Sequence, residues 1–448
     1  MTELPRKAVA RTARLAALPL GYAGRQALGV GKRLGGAPAE AVLNEVQQRT
    51  AEQMFRTLGE LKGGAMKFGQ ALSVLEAALP EEVTAPYRAH LTALQDSAPT
   101  MSTQAVRDVL EQALGPAWRE QVVWLDGAAA AAASIGQVHK ARWAQPDGSQ
   151  IDVAIKVQYP GAGEALMGDL RRMSRLARAM TPVFPGIDVN PLINELLARA
   201  AEELDYHLEA ESQQAFADAF ADDPDIVVPN VIAATPNVLV SEWLESPGSL
   251  ARVIAEGTQE ERDHYGELLV RFVFGGPART GMLHADPHPG NFRTLPNADG
   301  SPGRLGVLDF GAVARLPERT FPEPMGRLIR VAIDSDAETL LAGLRAEGFV
   351  RDGIRVDPRV LRDYLLPLVE PASVERFRFS REWMRGQFDR INDTKSPGYT
   401  TATKLNLPPS YLMIYRTWLG GVGLLSQLEC EAPLRAILEE TLPGFAPD

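Results

Sequence analysis

The sequence predicts an α+β fold with two lobes, one built on a β-sheet and one mostly helical, preceded by a helical N-terminal region. Residues 118–246 contain short β-branched runs separated by turn signals, which predicts the sheet of a small lobe. Residues 247–448 show mostly helical periodicity broken by prolines, which predicts a larger helical lobe. The polar stretch 284–291 and Asp309-Phe310-Gly311 interrupt this helical pattern, so we expect the functional site there.

The composition is that of a folded protein, with 45% hydrophobic and 23% charged residues. A chain of 448 residues has room for the cores of two or three domains. The net charge of −11 argues against nucleic acid as a partner. The single cysteine, Cys430, excludes an intramolecular disulfide and a multi-cysteine metal site, and a lone thiol is more often core filler than a nucleophile.

Residues 1–38 are expected to form a basic, flexible N-terminal segment. Residues 1–33 carry seven Lys or Arg residues against one acidic residue, a net charge of +6. Lys7, Arg11 and Arg14 have helical spacing, so a basic face could dock on an anionic membrane; a solvated terminus is the alternative. No apolar run approaches the ~18 residues of a membrane-spanning helix, so we expect a cytoplasmic protein with at most peripheral membrane contact.

Residues 39–117 predict a helical extension. The helical pattern over 39–61 is interrupted by a glycine pair and is followed by further helices, the last over 103–114. Lys67 and Gln70 are three positions apart, so they share one face and could point at the same target. A lysine in such a position is otherwise simply solvated.

The small lobe should begin with a strand over 122–125, followed by a loop, a second strand, a hairpin and a third strand over 151–157. The third strand contains Val153-Ala-Ile-Lys156, the motif whose lysine pairs the α- and β-phosphates in protein kinases. The preceding loop, which is glycine-rich in those enzymes, is alanine-rich here. It contains Ala131, Ala132, Ala133 and Ser134.

Helical patterns over 162–180 and 190–220 follow the strands. In the second pattern, Glu209 is the candidate for the helix glutamate that pairs Lys156. The preceding turns contain Glu202, Glu203 and Asp205. A solvated acidic face is the simpler interpretation of the residues that point outward.

Two further strands are predicted over 231–235 and 238–244. The second would end in the connector to the large lobe, near the boundary marked by a Pro-Gly pair at 247–248. The backbone of this connector, from Glu242 to Leu244, could contact the edge of an adenine base.

The stretch 284–291 and Asp309-Phe310-Gly311 together carry a chemical pattern. Phosphoryl transfer needs one carboxylate near the attacking hydroxyl or water, and oxygen ligands that hold Mg²⁺ against the nucleotide phosphates. Asp286 fits the first role, while Asn291 and Asp309 fit the second. Each residue alone could be a polar group in a turn, but the ordered set predicts a phosphoryl-transfer site.

Taken in order, these motifs resemble the UbiB/ADCK-type atypical protein-kinase-like family, whose members are associated with ubiquinone and related isoprenoid-quinone or lipid metabolism. The motifs are Lys67-Phe-Gly-Gln70, Ala131-Ala-Ala-Ser134-Ile-Gly-Gln-Val-His139, Val153-Ala-Ile-Lys156, Glu203-Leu-Asp205, the stretch from His284 to Asn291, and Asp309-Phe-Gly311. Residues 407–428 resemble the C-terminal helix of the family. Unlike ordinary protein kinases, the chain has His288 in place of the lysine two positions after the catalytic aspartate.

The resemblance implies a two-lobed protein-kinase-like fold whose N-terminal helical extension packs over the active site. Lys67 and Gln70 would face Glu203 and Asp205 and keep protein substrates out. The implied site residues are Lys156 paired with Glu209, Asp286 as the catalytic aspartate, and Asn291 and Asp309 as Mg²⁺ ligands. The nucleotide would be ATP or ADP.

The alanine loop should change how the nucleotide binds. A Cβ atom restricts positive φ and the close approach of the backbone to phosphate oxygens, so we expect weaker or altered ATP binding, with ADP as the alternative resident nucleotide. With protein substrates excluded, we expect nucleotide hydrolysis or phosphorylation of a small lipid or phenolic acceptor.

Two other functions fit parts of the sequence. A small-molecule phosphotransferase of the aminoglycoside or choline-kinase type also carries a His-x-Asp-x-x-x-x-Asn motif, but it has no need of Lys67 or the alanine loop. A nucleotide-gated scaffold that binds a lipid or a partner protein needs no catalysis, although the retained site residues argue against it. Histidines 284 and 288 allow a zinc site, but a histidine before the catalytic aspartate more often supports the loop by hydrogen bonding.

Overall fold

A computed structural model describes residues 101–447, apart from positions 134, 165–166, 169–193, 195–196, 199–200, 335, 394–395 and 403. The predictions made for residues 1–100, including those for Lys67 and Gln70, therefore lie outside the described residues, as does the prediction for Ser134. The described residues form a small lobe around an antiparallel sheet and a large, mostly helical lobe, as predicted.

The small lobe is built on one six-stranded sheet. Five strands run in the order β1-β3-β4-β7-β6, and β2 pairs with β3 outside this path. The strands are β1 (Val122–Leu125), β2 (Ala131–Ala133), β3 (Gly136–Ala144), β4 (Gln150–Gln158), β6 (Val231–Thr235) and β7 (Val238–Glu242). The predicted strands are confirmed, except that β7 ends two residues before the predicted 244.

Alternation along β4 decides which side chains enter the core of the small lobe. Val153, Ile155 and Val157 are fully buried on one face, against helix α1 (Thr103–Leu114). Because successive side chains of a strand point to opposite faces, Lys156 lies on the other face of the sheet. The hydrophobic pattern of the strand thus fixes the direction in which the lysine points.

Helix α3 (Tyr206–Ala219) corrects the prediction of one continuous helix over 190–220. The chain turns at residues 203–204, and α3 begins anew after Asp205. Asp205 has extended backbone angles, and its carboxylate accepts a hydrogen bond of 3.0 Å from the His207 N–H, so it is the N-cap of α3. Helical periodicity alone does not distinguish an interior aspartate from a capping one.

The large lobe contains the remaining elements. Its strands are β5 (Ile226–Val227), β8 (Gly248–Ser249), β9 (Met282–His284), β10 (Phe292–Leu295), β11 (Arg304–Val307), β12 (Val313–Arg315), β13 (Phe377–Arg378) and β14 (Glu431–Ala432). After α2 (Trp118–Gln121) in the small lobe and α3, the helices are α4 (Leu250–Glu256), α5 (Gln259–Thr280), α6 (Glu323–Asp334), α7 (Ala337–Ala346), α8 (Pro358–Val369), α9 (Arg381–Asn392), α10 (Pro397–Ala402), α11 (Leu412–Leu428) and α12 (Leu434–Thr441). The β9–β12 and β10–β11 pairs bring the two polar motifs together.

The core of the large lobe forms around the buried helices α5 and α11. Helix α5 starts with a capping box, in which Thr258 and Glu261 satisfy each other's backbone N–H groups. Cys430 is fully buried in this core, and burial raises the pKa of its thiol to about 12. The cysteine is thus part of the packing and is not a nucleophile at neutral pH.

No helix in the described part of the chain is both long enough and apolar enough to cross a bilayer.

The cap of α3 gives a first test. Asp205→Ala should lower the free energy of unfolding by about 1 kcal/mol, because the first turn of the helix loses a hydrogen-bond acceptor. Asp205→Asn keeps an acceptor and should retain most of the stability, as measured by urea denaturation. Equal destabilisation by both substitutions would contradict a capping role and would point to the negative charge itself.

Candidate active site

Lys156 and Glu209 form an ion pair across the face of the small-lobe sheet. Lys156 lies on the central strand β4, and Glu209 lies in the first turn of α3. The Lys156 Nζ atom donates to Glu209 Oε1 at 2.6 Å, and the Glu209 side chain is only 3% exposed. The sequence prediction that these two residues meet agrees with this geometry.

Asp309 provides a second carboxylate next to the lysine. Its Oδ1 atom lies 3.4 Å from Lys156 Nζ. Burial acts to lower the pKa of Lys156, but the carboxylates of Asp309 and Glu209 outweigh it and raise this pKa above its usual range. The ring of Tyr206 lies 5.1 Å from Nζ and adds a cation–π contact. Lys156 is therefore charged and held by three neighbours.

The Asp309-Phe310-Gly311 turn has a backbone that fixes the aspartate. Asp309 has a φ of 61°, in the left-handed region that aspartate tolerates better than most residues. Its Oδ1 accepts a hydrogen bond of 3.1 Å from the Gly311 N–H, which closes a local turn. A Cβ on Gly311 would lie 3.2 Å from Asp309 Oδ1 and 3.3 Å from Glu209 Oε2, so glycine allows the close approach of the two carboxylates.

The rings of Phe216 and His284 pack against Phe310 and hold this turn in place. Phe310 is 1% exposed and packs on Phe216 of α3, with ring centroids 5.1 Å apart, and on His284 at 5.3 Å. Burial lowers the pKa of His284, so the ring is neutral. Its Nε2 lies 2.9 Å from the Asp309 carbonyl oxygen, and since a carbonyl only accepts, this nitrogen carries the proton. His284 thus supports the turn.

The candidate catalytic loop, residues 284–291, holds Asp286 and Asn291 in one hydrogen-bonded unit. A short 3-10 turn, Pro289–Asn291, is capped by His288, whose Nδ1 accepts from the Gly290 N–H. Asn291 Nδ2 donates to Asp286 Oδ2 at 2.9 Å and to the Asp286 carbonyl at 3.2 Å. Because the amide nitrogen faces Asp286, the amide oxygen of Asn291 is the atom suited to a Mg²⁺ ion.

Arg416 is a site residue that the sequence analysis missed. It lies on α11, and its Nη2 donates to Asp286 Oδ1 at 3.3 Å. Residues 412–428 of α11 contain one charged side chain, that of Arg416, in a run of otherwise uncharged residues. An isolated arginine in an otherwise uncharged helical run was the signal available in the sequence.

The alanine segment differs from the prediction of a loop. Ala131–Ala133 form the edge strand β2, which pairs with β3 in the register Ala131↔Val138 to Ala133↔Gly136. Gln137, which pairs with Ala132 in this hairpin, is 1% exposed and accepts a 2.9 Å hydrogen bond from the Met101 N–H. Cross-strand pairing supplies the order that the weak β-propensity of alanine does not predict.

Part of the backbone of the connector after β7 is hydrogen-bonded within the small lobe. The Glu242 N–H donates to the Asn230 carbonyl and the Trp243 N–H donates to the Asp152 carbonyl, each at 3.0 Å. The Glu242 carboxylate accepts from both the backbone and the side-chain nitrogen of Asn230. The Glu242 N–H is thus already used, so any backbone contact of Glu242 with a base would involve its carbonyl group. The contact between Leu244 and a base stays a prediction.

Glu209 also lines a cavity that it shares with two further acidic side chains and with Arg315. Glu202, Glu203, Glu209 and Gly311 contribute to the lining of this cavity of about 90 Å³. Asp205 is the cap described above and does not contribute to this lining. The predicted partners Lys67 and Gln70 lie outside the described residues.

The metal-ligand set is small. Within the part of the chain that the structure describes, no three His, Cys, Asp or Glu side chains come together as a metal site. Asn291 and Asp309 fit the way in which Mg²⁺ usually binds, through one or two protein ligands together with phosphate oxygens and water. This donor set suits a nucleotide-bound Mg²⁺ ion better than a zinc ion.

A protein-family model described as the ABC1 atypical kinase-like domain matches residues 93–342, more than half of the chain. The mitochondrial atypical kinase coq-8 of Caenorhabditis elegans is 28% identical over 362 residues, which cover 78% of this chain and 46% of that protein. The chloroplastic protein ACTIVITY OF BC1 COMPLEX KINASE 3 of Arabidopsis thaliana is 28% identical over 428 residues, covering 93% and 56%, respectively. The chain spans about half the length of the curated relatives it matches.

A solved structure also matches the chain over most of its length. Rv3197 of Mycobacterium tuberculosis, in complex with erythromycin, has a TM-score of 0.66 and 41% sequence identity to this chain. The match covers 92% of this chain and 100% of that one. The likeness therefore extends over both lobes.

The buried ion pair gives a second test. Lys156→Met should lower the free energy of unfolding by about 3 kcal/mol, because Glu209 stays buried without its lysine. The double variant Lys156→Met/Glu209→Leu removes both charges and should regain most of this loss in urea denaturation. Arg142→Met, at an exposed pair with Asp152 on the same sheet, is the control and should change little. Losses that simply add in the double variant would contradict the coupling.

Proposed function

Because the chain belongs to the ABC1 atypical kinase-like family, we propose that it is a Mg²⁺-dependent atypical kinase or ATPase that binds ATP or ADP. We also propose that it supports isoprenoid-quinone or lipid metabolism. The observation that carries the proposal is the convergence of Lys156, Glu209 and Asp309, with the two carboxylates 2.6 and 3.4 Å from the lysine nitrogen. This is the arrangement that positions phosphates and a metal ion in kinase-type phosphoryl transfer.

Each site residue has a defined role in this proposal. Lys156, oriented by Glu209, would bind the α- and β-phosphates, and the Asn291 and Asp309 oxygens would hold Mg²⁺, which would offset the negative charge of the phosphates. Asp286 accepts the proton of the attacking hydroxyl or water as the new bond to the γ-phosphorus forms and ADP leaves. Ala131–Ala133 cover the phosphates with backbone that carries Cβ atoms, so ADP is a candidate for the resident nucleotide.

The proposal also concerns which substrates can reach Asp286. The cavity is lined by three glutamates, at positions 202, 203 and 209, and by one cation, Arg315, and this excess of acidic groups favours a further cation. Lys67 is the proposed cation, and a helix held there would keep protein substrates away from Asp286. The acceptor is then water or a small lipid or phenolic hydroxyl, and the basic residues 1–33 would provide peripheral contact with an anionic membrane.

A second candidate is a small-molecule phosphotransferase. It is favoured by Rv3197, whose structure holds erythromycin, a small molecule, in a chain 41% identical to this one. The same residues would then transfer the γ-phosphoryl group to a hydroxyl of a macrolide or a similar compound.

Nucleotide turnover by the purified full-length chain tests the first candidate. With Mg²⁺ and ATP, release of phosphate and ADP should be detectable, should stop on chelation of Mg²⁺, and should fall at least about 100-fold in Asp309→Asn. Arg271→Gln, an exposed residue of α5, is the control and should behave as the wild type. The same assay is repeated with anionic liposomes and with simple phenols, which tests the proposed lipid and phenolic acceptors.

Two outcomes would contradict this proposal. The first is turnover that is unaffected by chelation or by Asp309→Asn. The second is phosphorylation of generic protein substrates at the rate of ordinary kinases, about 1–100 s⁻¹. Transfer of labelled phosphate to erythromycin at a rate above that of ATP hydrolysis would favour the second candidate.

A further inference from the structure

Helix α11 brings a single cation from the C-terminal part of the chain to the catalytic loop. Most of its residues are buried. Among them are Thr417 and the residues one helical turn before and after it, Met413 and Gly421. Thr417 itself donates to the Met413 carbonyl at 2.8 Å. Arg416 therefore lies on a tightly packed helix, and the fold determines its position relative to Asp286.

The carboxylate of Asp286 is held at both oxygens. Oδ2 accepts from Asn291 Nδ2 at 2.9 Å, and Oδ1 accepts from Arg416 Nη2 at 3.3 Å. Asp286 is 13% exposed, whereas Arg416 is 39% exposed. A side chain with two defined hydrogen bonds has little rotational freedom, so the two donors together set the orientation of the carboxylate.

The charges around the cleft favour a second cation. Glu209, Asp286 and Asp309 contribute three carboxylates, and Lys156 already lies between two of them. Nucleotide phosphates would add further negative charge close to Asp286. Of the two donors described here at the Asp286 carboxylate, Arg416 carries a positive charge and Asn291 offers a neutral amide.

Ordinary protein kinases have a lysine two positions after the catalytic aspartate, and the corresponding residue here is His288. Its Nδ1 accepts from the Gly290 N–H and so caps the loop's own turn. Position 288 therefore does not supply the lysine that ordinary protein kinases have there. In space, the arginine from α11 lies beside Asp286 instead.

We propose that Arg416 is a positioning residue for phosphoryl transfer, which orients the Asp286 carboxylate and offsets its charge in place of the missing lysine. The proposal rests on the proposed function, because it assigns a role to Arg416 in that same reaction. Among the described residues, the guanidinium makes one hydrogen bond, to Asp286, out of the five that it can donate.

A purely structural role is the alternative, in which Arg416 only anchors α11 to the catalytic loop. That role predicts a loss of stability without a selective loss of turnover. A positioning role predicts a lower kcat with nearly unchanged nucleotide affinity, because Lys156, Asn291 and Asp309 are left intact.

The test compares Arg416→Gln, Arg416→Lys and the exposed control Arg271→Gln in the full-length chain, with kcat, nucleotide Kd and Tm measured for each. Arg416→Gln should lower kcat about 100-fold, the effect typical of removing one preorganised donor, with a Kd for Mg²⁺-ADP within about threefold of the wild type. Arg416→Lys should recover about tenfold of this loss, since it keeps the charge but not the planar fork. The control should match the wild type.

The double variant Asp286→Asn/Arg416→Gln separates the two roles. If Arg416 acts through Asp286, its substitution should change the residual single-turnover rate of Asp286→Asn by less than about threefold. A kcat within threefold of the wild type in Arg416→Gln, an equal kcat in the Gln and Lys variants, or a full additional loss in the double variant would overturn the inference. Absence of turnover in the wild type would overturn the proposed function, and this inference with it.

Discussion

The site depends on keeping one charged lysine buried in the face of a β-sheet. Removing an ammonium group from water costs several kcal/mol, so a buried lysine needs compensating partners. Glu209 and Asp309 supply them, one from the helix packed on the sheet and one from the large lobe. Because these two carboxylates come from different lobes, the ion pairs of Lys156 also fix how the lobes meet at the cleft.

The surrounding residues hold the partners of this lysine in place before any ligand binds. The left-handed φ of Asp309, its hydrogen bond from Gly311 and the packing of Phe310 on Phe216 restrict the carboxylate to one orientation. The hydrogen bond from His284 to the backbone of Asp309 joins the same turn to the catalytic loop. Preorganised groups of this kind act on a reacting phosphoryl group without the cost of reorganisation.

Much of the fold followed from local patterns. The helix predicted over 103–114 and the strand predicted over 231–235 have those bounds in the structure, and Ser102 caps the helix by accepting from the Ala105 N–H. Local patterns failed where tertiary context decides. The periodicity over 190–220 does not reveal that Asp205 caps a new helix, and the alanines at 131–133 become a strand only through pairing with β3. The contact between Arg416 and Asp286 joins residues 130 positions apart, which no local pattern predicts. The predictions for residues 1–100, including that for Lys67, stay predictions.

The affinity of the protein for Mg²⁺-ADP, measured by isothermal titration calorimetry for the wild type and for Glu209→Gln, tests the central claim most directly. Glutamine keeps the shape and a hydrogen-bond acceptor at position 209 but removes the charge that orients Lys156. If the lysine and its carboxylates form a preorganised phosphate-binding site, the substitution should weaken binding at least tenfold, by about 1.4 kcal/mol or more. Equal affinities for the two proteins would contradict the account.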